Sequence, residues 1–150
     1  MEYTESIKKV AEKLMMDEDI GLKVLIMKDR IKSSPDPFIF QVLDIEKFRN
    51  ELPENIESIW VFVLKEDTPT VEHYHPNSIQ HCIMAEGVGK VKIDGITKDL
   101  KELELLIIPE RIPHEFFPGP EKIVLFSFHT CEAEDLIEVQ TKSKKTRTYF

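Results

Sequence analysis

A clear pattern of strands and turns lies in residues 79–100, IQHCIMAEGVGKVKIDGITKDL. Its apolar runs are short and are separated by Gly87 and by the pair Asp94-Gly95, a pattern typical of strands joined by tight turns. A type I′ turn needs a positive φ at both central residues, and the Asp-Gly pair satisfies this need, so a two-residue hairpin is predicted here. The stretch therefore predicts three consecutive strands.

The same pattern continues on both sides, where prolines and glycines again separate short runs of β-branched and aromatic residues. The predicted strands are Phe38–Leu43, Ile59–Lys65, Val71–His75, Ile79–Ala85, Val88–Ile93, Ile96–Leu100, Glu104–Ile108, His114–Phe117 and Lys122–His129. Many short strands at this spacing indicate an all-β sandwich or barrel.

The residues before Pro35 have a different periodicity. Apolar residues recur there at three- and four-residue steps, which predicts an amphipathic helix with Thr4 as its N-cap. Residues 20–31 fit both a strand alternation and a helical step, and we favour the helix. The expected organisation is a helical segment over 1–35, a β domain over 36–140 and a solvated basic tail over 141–150.

Composition narrows the class of protein. A chain of 150 residues with 41% hydrophobic content is suited to one domain with a sizeable core. The net charge of -8 disfavours nucleic acid and anionic membranes as partners. The sequence has no long apolar span and no signal-peptide pattern, so we expect a cytoplasmic protein. The two cysteines, Cys82 and Cys131, are expected to be free thiols.

Three of the five histidines are candidate metal ligands. Because side chains alternate along a strand, the i, i+2 spacing of His73 and His75 points both rings to one side. A third nitrogen ligand must come from a neighbouring strand, and His114, which follows the apolar run 105–108, is well placed. Three imidazoles suit zinc, iron, nickel or manganese and leave positions open for water and substrate. The sequence therefore predicts a site for one divalent transition metal.

These residues also carry a resemblance. The spacing of His73, His75, Gln80 and Gly87 resembles the first motif of the cupin superfamily, and Pro109 followed by His114 is similar to the second motif. The resemblance covers about residues 59–129. It implies a double-stranded β-helix, or jelly roll, in which His114 is the last metal ligand. It also implies a homodimer.

The chain departs from the family pattern at several positions. Gln80 lies where most members have a glutamate, and Asp67, Leu103 and Arg111 lie at glycine positions, while Pro118 replaces a final asparagine. An amide oxygen is a neutral ligand, so three imidazoles and Gln80 leave the charge of the ion uncompensated. An ion bound by these four neutral ligands is therefore more electrophilic than one that also has a carboxylate ligand.

Three residues keep alternative interpretations. A bulge or a one-residue slip in the strand would replace Gln80 by His81 and give a four-histidine site. Arg111 has the geometry to clamp a carboxylate or phosphate, although an arginine beside a turn is more often a surface residue. His129 lies on one face of its strand, and the residues on the opposite face are all apolar. Its side chain points either into the fold, where it could contact substrate, or into solvent.

We expect an enzyme that uses its metal as a Lewis acid on a small oxygenated anion such as a sugar acid or keto sugar, in an isomerase or lyase reaction. Some small cupins that process sugar acids look similar in placing a glutamine at the position of Gln80. Iron thiol dioxygenases resemble the site in using three histidines without a carboxylate, so a non-haem iron dioxygenase is the second hypothesis. A metal-dependent module that binds or senses a small molecule is the third.

Overall fold

The computed structural model describes residues 2–139. The predicted basic tail, 141–150, lies outside the described residues. Two α-helices and eight strands follow one another along the chain: α1 Tyr3–Met16, α2 Glu18–Ile31, β1 Phe38–Leu43, β2 Ser58–Leu64, β3 Gln80–Glu86, β4 Gly89–Ile93, β5 Ile96–Asp99, β6 Leu105–Ile108, β7 His114–Pro118 and β8 Ile123–His129. Two 3-10 helices cover Ile45–Glu51 and Ala133–Asp135.

The strands form two antiparallel sheets. The larger has the strand order β1-β2-β8-β3-β6, and the smaller has the order β5-β4-β7. Their inner faces pack together, with Cys82 and Leu125 of the larger sheet in one buried cluster with Val91 and Phe116 of the smaller. The predicted all-β jelly roll with an N-terminal helical extension is confirmed. Over residues 2–139 the two sheets form a sandwich and do not close into a barrel. We call the space between the sheets the cup.

The two helices cover the outer face of the larger sheet. Ile7 and Leu14 of α1 share a second buried cluster with Val61, Phe126 and Phe128. Strands β2 and β8 are therefore buried on both faces, which explains why their sequences are nearly all apolar.

Both predicted helices are present, but the N-cap of α1 is Glu2 and not Thr4. The helix therefore includes two more residues, Tyr3 and Thr4, and the Tyr3 hydroxyl lies 2.9 Å from His81 Nε2 of the sheet. The ambiguous segment is helical because the Asp17 carboxylate accepts hydrogen bonds from the backbone N–H groups of Asp19 and Ile20, which caps α2. Within residues 2–139, neither helix is long and apolar enough to cross a membrane.

The turns reproduce the backbone that the sequence predicts. Asp94 and Gly95 have φ values of 52° and 80°, and they join β4 to β5 as a two-residue hairpin. Asp67, Leu103 and Arg111 have φ values of 53°, 68° and 62°. These positions therefore keep the left-handed conformation that favours glycine, although none of them is a glycine.

The predicted strand Val71–His75 is wrong as a regular element. In the structure this segment makes only two isolated bridges, His73 with His114 and Tyr74 with Val139. Successive residues thus pair with different neighbours, and Pro76, which has no N–H to donate, follows at once. The segment still places His73 and His75 on one side.

Candidate metal centre

Backbone hydrogen bonds bring the three candidate ligands together. The His73 N–H donates to the His114 carbonyl at 3.1 Å, and the His114 N–H donates to the His73 carbonyl at 2.8 Å. The Arg111 N–H donates to the His75 carbonyl at 2.9 Å. As a result, one ligand atom from each of the three rings lies within 4.8 Å of the other two, and all three residues are buried.

Two of the rings are oriented by backbone carbonyls. The Val71 carbonyl lies 2.6 Å from His73 Nδ1, and the Ile112 carbonyl lies 3.0 Å from His114 Nδ1. A carbonyl only accepts, so each Nδ1 carries a proton, and Nε2 is the nitrogen of each ring that can bind a metal. Such outer contacts fix the tautomer and direction of metal-binding histidines.

The unsatisfied polar atoms fit a cation. Among the described residues, His75 Nδ1, His114 Nε2 and Gln80 Oε1 are buried and have no hydrogen-bond partner. Buried polar atoms are normally paired, and each unpaired one is costly. Gln80 Oε1 and His114 Nε2 each offer a lone pair, and His75 Nδ1 offers one in the tautomer that is protonated at Nε2, so all three atoms suit a metal ion. The residues present therefore fit a divalent transition metal.

The charge state of the rings suits the same role. Burial, and then the nearby His114 and His73, hold the pKa of His75 well below its usual value. Burial, and then His73, lower the pKa of His114 to about 3. These two imidazoles are consequently neutral at neutral pH, and neutral imidazole is the form that binds metal.

Gln80 is held in a fixed orientation beside the histidines. It is the first residue of β3, and its Nε2 donates to Ser127 Oγ on β8 at 3.0 Å. This bond leaves Oε1 as the free end of the amide. Gln80 lines the same cavity as His73 and His75, so it is available as a fourth, neutral ligand.

The cavity at the site is small and largely apolar. Its volume is about 30 Å³. The lining residues are Phe38, Phe62, Leu64, Thr70, His73, His75, Gln80, Phe116, Leu125 and Glu138. Since a water needs about 10 to 15 Å³ on this measure, the cavity has room for one or two water-sized groups.

Residues 60–129 match the family model of the cupin domain. The chain contains a cupin domain. No curated protein matches the sequence at a significant level. An oxalate oxidase solved in complex with the substrate analogue glycolate superposes on 73% of this chain with a TM-score of 0.58 and 16% identity, and this chain spans 57% of its length.

Two further structures of cupin type are similar. The coconut allergen cocosin has a TM-score of 0.57 and 20% identity, over 71% of this chain and 29% of the allergen. KdgF from Halomonas sp. has a TM-score of 0.53 and 13% identity, over 68% of this chain and 86% of KdgF. At these low identities, the structural similarity establishes the fold of the cupin domain. The chemistry of the domain has to be inferred from the residues of the site.

His81, the rival to Gln80, lies on the opposite face of β3. Its Nδ1 donates to the Phe128 carbonyl at 3.1 Å, so its Nε2 accepts from the Tyr3 hydroxyl at 2.9 Å. The bulge in β3 falls later, between Met84 and Glu86, and leaves the alternation at Gln80 and His81 intact. The structure thus places His81 against α1, outside the cluster.

His129 and Arg111 also have defined places. His129 is fully buried inside the cupin domain, with its ring centroid 5.1 Å from that of His75. Its Nδ1 lies 2.8 Å from Ser78 Oγ, and its Nε2 lies 3.2 Å from Ser127 Oγ. His129 therefore supports the site from behind rather than lining its cavity. Arg111 is exposed and contributes to the site through its backbone N–H.

One residue of the site was missed by sequence reasoning. Glu138 lies beyond the matched cupin residues, is 2% exposed, and places Oε1 3.1 Å from His73 Nε2. Its only sequence signal is a single acidic residue within the apolar run 136–139, which is too weak to indicate a site.

Proposed function

We propose that this protein is a metal-dependent cupin enzyme acting on a small oxygenated anion, such as a sugar acid or keto sugar, in an isomerase or lyase reaction. The observation that carries the proposal is the donor set in the buried cavity. His73, His75, His114 and Gln80 would hold the ion, and all four offer neutral donor atoms. When bound, the ion would act as a Lewis acid on a carbonyl or hydroxyl oxygen.

The cavity favours an anionic group at short range. Its apolar lining keeps the local dielectric low, so attraction between a cationic centre and a carboxylate is stronger there than in water. The net charge of -8 opposes anions at long range, but salt screens it over about 8 to 10 Å. The oxalate oxidase that shares the fold was solved with glycolate, which supports small carboxylates as the first ligands to test.

The aromatic lining restricts the size of the ligand. Phe38, Phe62 and Phe116 surround the space beside His73 and His75. Their rings exclude water and offer apolar contact to the carbon atoms of a small molecule. A cavity of about 30 Å³ admits a larger substrate only if part of its wall moves.

A non-haem iron dioxygenase is the second candidate. The site resembles that of iron thiol dioxygenases in having three histidines and no carboxylate at position 80. The two candidates differ in native metal and in oxygen use. Iron in the purified protein together with substrate-dependent oxygen uptake would favour the dioxygenase.

Calorimetric titration tests the first candidate. We expect glycolate and a uronic acid to bind the metal-loaded protein and to bind the metal-free protein at least about 10-fold more weakly, since the cation supplies the attraction. Equal binding to both forms, or binding to neither, would contradict the Lewis-acid proposal. The Gln80→Glu variant is the matched control, because it should keep the metal and bind the same anions less tightly.

A further inference from the structure

A buried carboxylate beside the histidine cluster comes from the C-terminal segment Leu136–Val139. We propose that Glu138 is an additional, anionic ligand of the metal, so that the complete donor set is three imidazoles, the amide of Gln80 and one carboxylate. This inference rests on the proposed metal-dependent function. It assigns to Glu138 a role that neither the cupin motifs nor the histidine spacing predicts.

The C-terminal segment is fastened along the ligand-bearing segment. The Val139 N–H donates to the Tyr74 carbonyl at 3.0 Å, and the Tyr74 N–H donates to the Val139 carbonyl at 3.0 Å. The Ile137 N–H donates to Asn77 Oδ1 at 3.3 Å. Tyr74 lies between His73 and His75, so the pairing fixes the backbone around Glu138 next to the segment that carries these two ligands.

The distance between Glu138 and His73 matches two ligands of one ion. Because His73 Nδ1 donates to the Val71 carbonyl, the nitrogen available for a metal is Nε2. Glu138 Oε1 lies 3.1 Å from that atom. Two donor atoms bound to one ion at about 2.0 to 2.2 Å lie about 3.0 to 3.6 Å apart for ordinary angles.

Burial and charge support the same assignment. Glu138 is 2% exposed and lines the cavity with imidazoles, an amide and apolar side chains. A carboxylate is rarely buried to this degree unless it is paired or coordinates a metal. A divalent ion in the cluster would balance its charge, and the carboxylate would in turn lower the net charge of the centre to about +1.

Ligation by Glu138 has a consequence for substrate binding. Glu138 and the proposed substrate both present an oxygen anion to the same cavity, which has a volume of only about 30 Å³. An anionic substrate would then exchange with Glu138 as a ligand, and the displaced Glu138 carboxylate would leave a second negative charge in the cavity. Removing the charge of Glu138 should accordingly strengthen binding of a small external carboxylate to the metal-loaded protein.

Cobalt binding tests the proposal with a readout that is independent of activity. We compare wild type, Glu138→Gln and the matched control Glu134→Gln, which removes the same charge from an exposed position four residues earlier. Co²⁺ affinity and the visible Co²⁺ spectrum are measured for each. We expect Glu138→Gln to weaken Co²⁺ at least about 10-fold, to change the spectrum and to tighten glycolate binding, and Glu134→Gln to match wild type.

Wild-type affinity and an unchanged spectrum in a folded Glu138→Gln variant would overturn the role of Glu138 while leaving the histidine site standing. If that variant does not fold, the crystal structure of Co²⁺-loaded wild type decides, since an oxygen of Glu138 either contacts the ion or does not. A wild-type protein that binds no Co²⁺ would overturn both the metal-dependent function and the role of Glu138.

Discussion

The five histidines of this chain are all buried, yet they divide into two groups with different chemistry. His81 and His129 each have both ring nitrogens within hydrogen-bonding distance of a partner. In the other group, His75 and His114 each keep a buried nitrogen without a partner among the described residues, and one ligand atom of each ring lies within 4.8 Å of one from His73. Burial therefore does not distinguish a candidate ligand from a structural histidine, whereas unused lone pairs that face one another do.

Strand alternation produces this division at β3. Gln80 faces the cup and donates to Ser127, while the next residue, His81, faces α1 and contacts Tyr3. A slip of one residue would exchange the two environments. The register with β8, which pairs Gln80 with His129 and His81 with Phe128, prevents this exchange by matching apolar residues to the helix-covered face.

Metal affinity should distinguish the two groups of histidines by the widest margin. His114→Ala should weaken divalent metal binding by at least about 100-fold, because it removes a ligand and not merely its support. His81→Ala, a change of equal size at an equally buried histidine, should leave metal affinity within a few-fold of wild type. Metal analysis after dialysis, with circular dichroism to check folding, measures both. Loss of metal in His81→Ala with retention in His114→Ala would reverse the assignment.

The pH dependence of the metal-free protein provides the second test. The unfolded chain binds a proton at each histidine near pH 6.5, whereas His114 in the fold does so only near pH 3. The unfolded state thus binds more protons between these values, and the free energy of unfolding should fall as pH drops from about 6.5 towards 3. Above pH 6.5 this contribution is complete and constant.

The His114→Asn variant isolates that contribution. Its free energy of unfolding should depend on pH less steeply than that of wild type, by up to about 1.4 kcal/mol per pH unit between pH 6.5 and 4. Denaturant unfolding at several pH values, with a chelator present, provides the measurement. Identical slopes in the two proteins would show that His114 is not held in the neutral form.

The third prediction concerns the supporting group. His129→Leu should lower the free energy of unfolding by about 1 to 3 kcal/mol, because the hydroxyls of Ser78 and Ser127 each lose a buried partner. Metal affinity should change far less than in His114→Ala, since His129 is not a ligand. A loss of metal as large as that in His114→Ala, in a folded variant, would move His129 into the ligand group.

The smallest change in stability is expected at Leu103, which belongs to neither group of histidines. Leu103 has a φ of 68° and is exposed, so Leu103→Gly should stabilise the protein by about 1 kcal/mol or less as the left-handed strain is relieved. Metal affinity should not change. Thermal unfolding checks the first expectation, and a lower melting temperature in Leu103→Gly would show that side-chain contacts outweigh the strain.

Much of the fold was predictable from local chemistry. Short apolar runs placed β1 to β8 to within a residue or two, and the Asp94-Gly95 turn was predictable because only a few residue types adopt positive φ at both positions. The predictions failed where contacts with residues distant in sequence determine the local structure. Val71–His75 makes isolated bridges to two separate segments, and Tyr3, the first residue of α1, contacts His81, which is 78 residues away in sequence.

Part of the candidate site was also predictable from local sequence patterns. The two short histidine motifs brought His73, His75 and His114 into consideration, because spacing on extended chain fixes the direction of side chains. The orientation of His129 was left open because alternation identifies two faces of a strand without saying which is covered by helices. Glu138 had no signal, since its position depends on the pairing of Val139 with Tyr74 across 65 residues of chain.

X-ray absorption spectroscopy of the purified, metal-loaded protein identifies the atoms that bind the metal. We expect about one divalent metal per chain, with three imidazole nitrogens at about 2.0 to 2.2 Å and further oxygen ligands. His81→Ala should give the same spectrum, and His114→Ala should lose the metal. A spectrum with fewer than three imidazoles, or stoichiometric metal that remains after His73 and His75 are both changed to alanine, would contradict the assignment of this cluster as the metal centre.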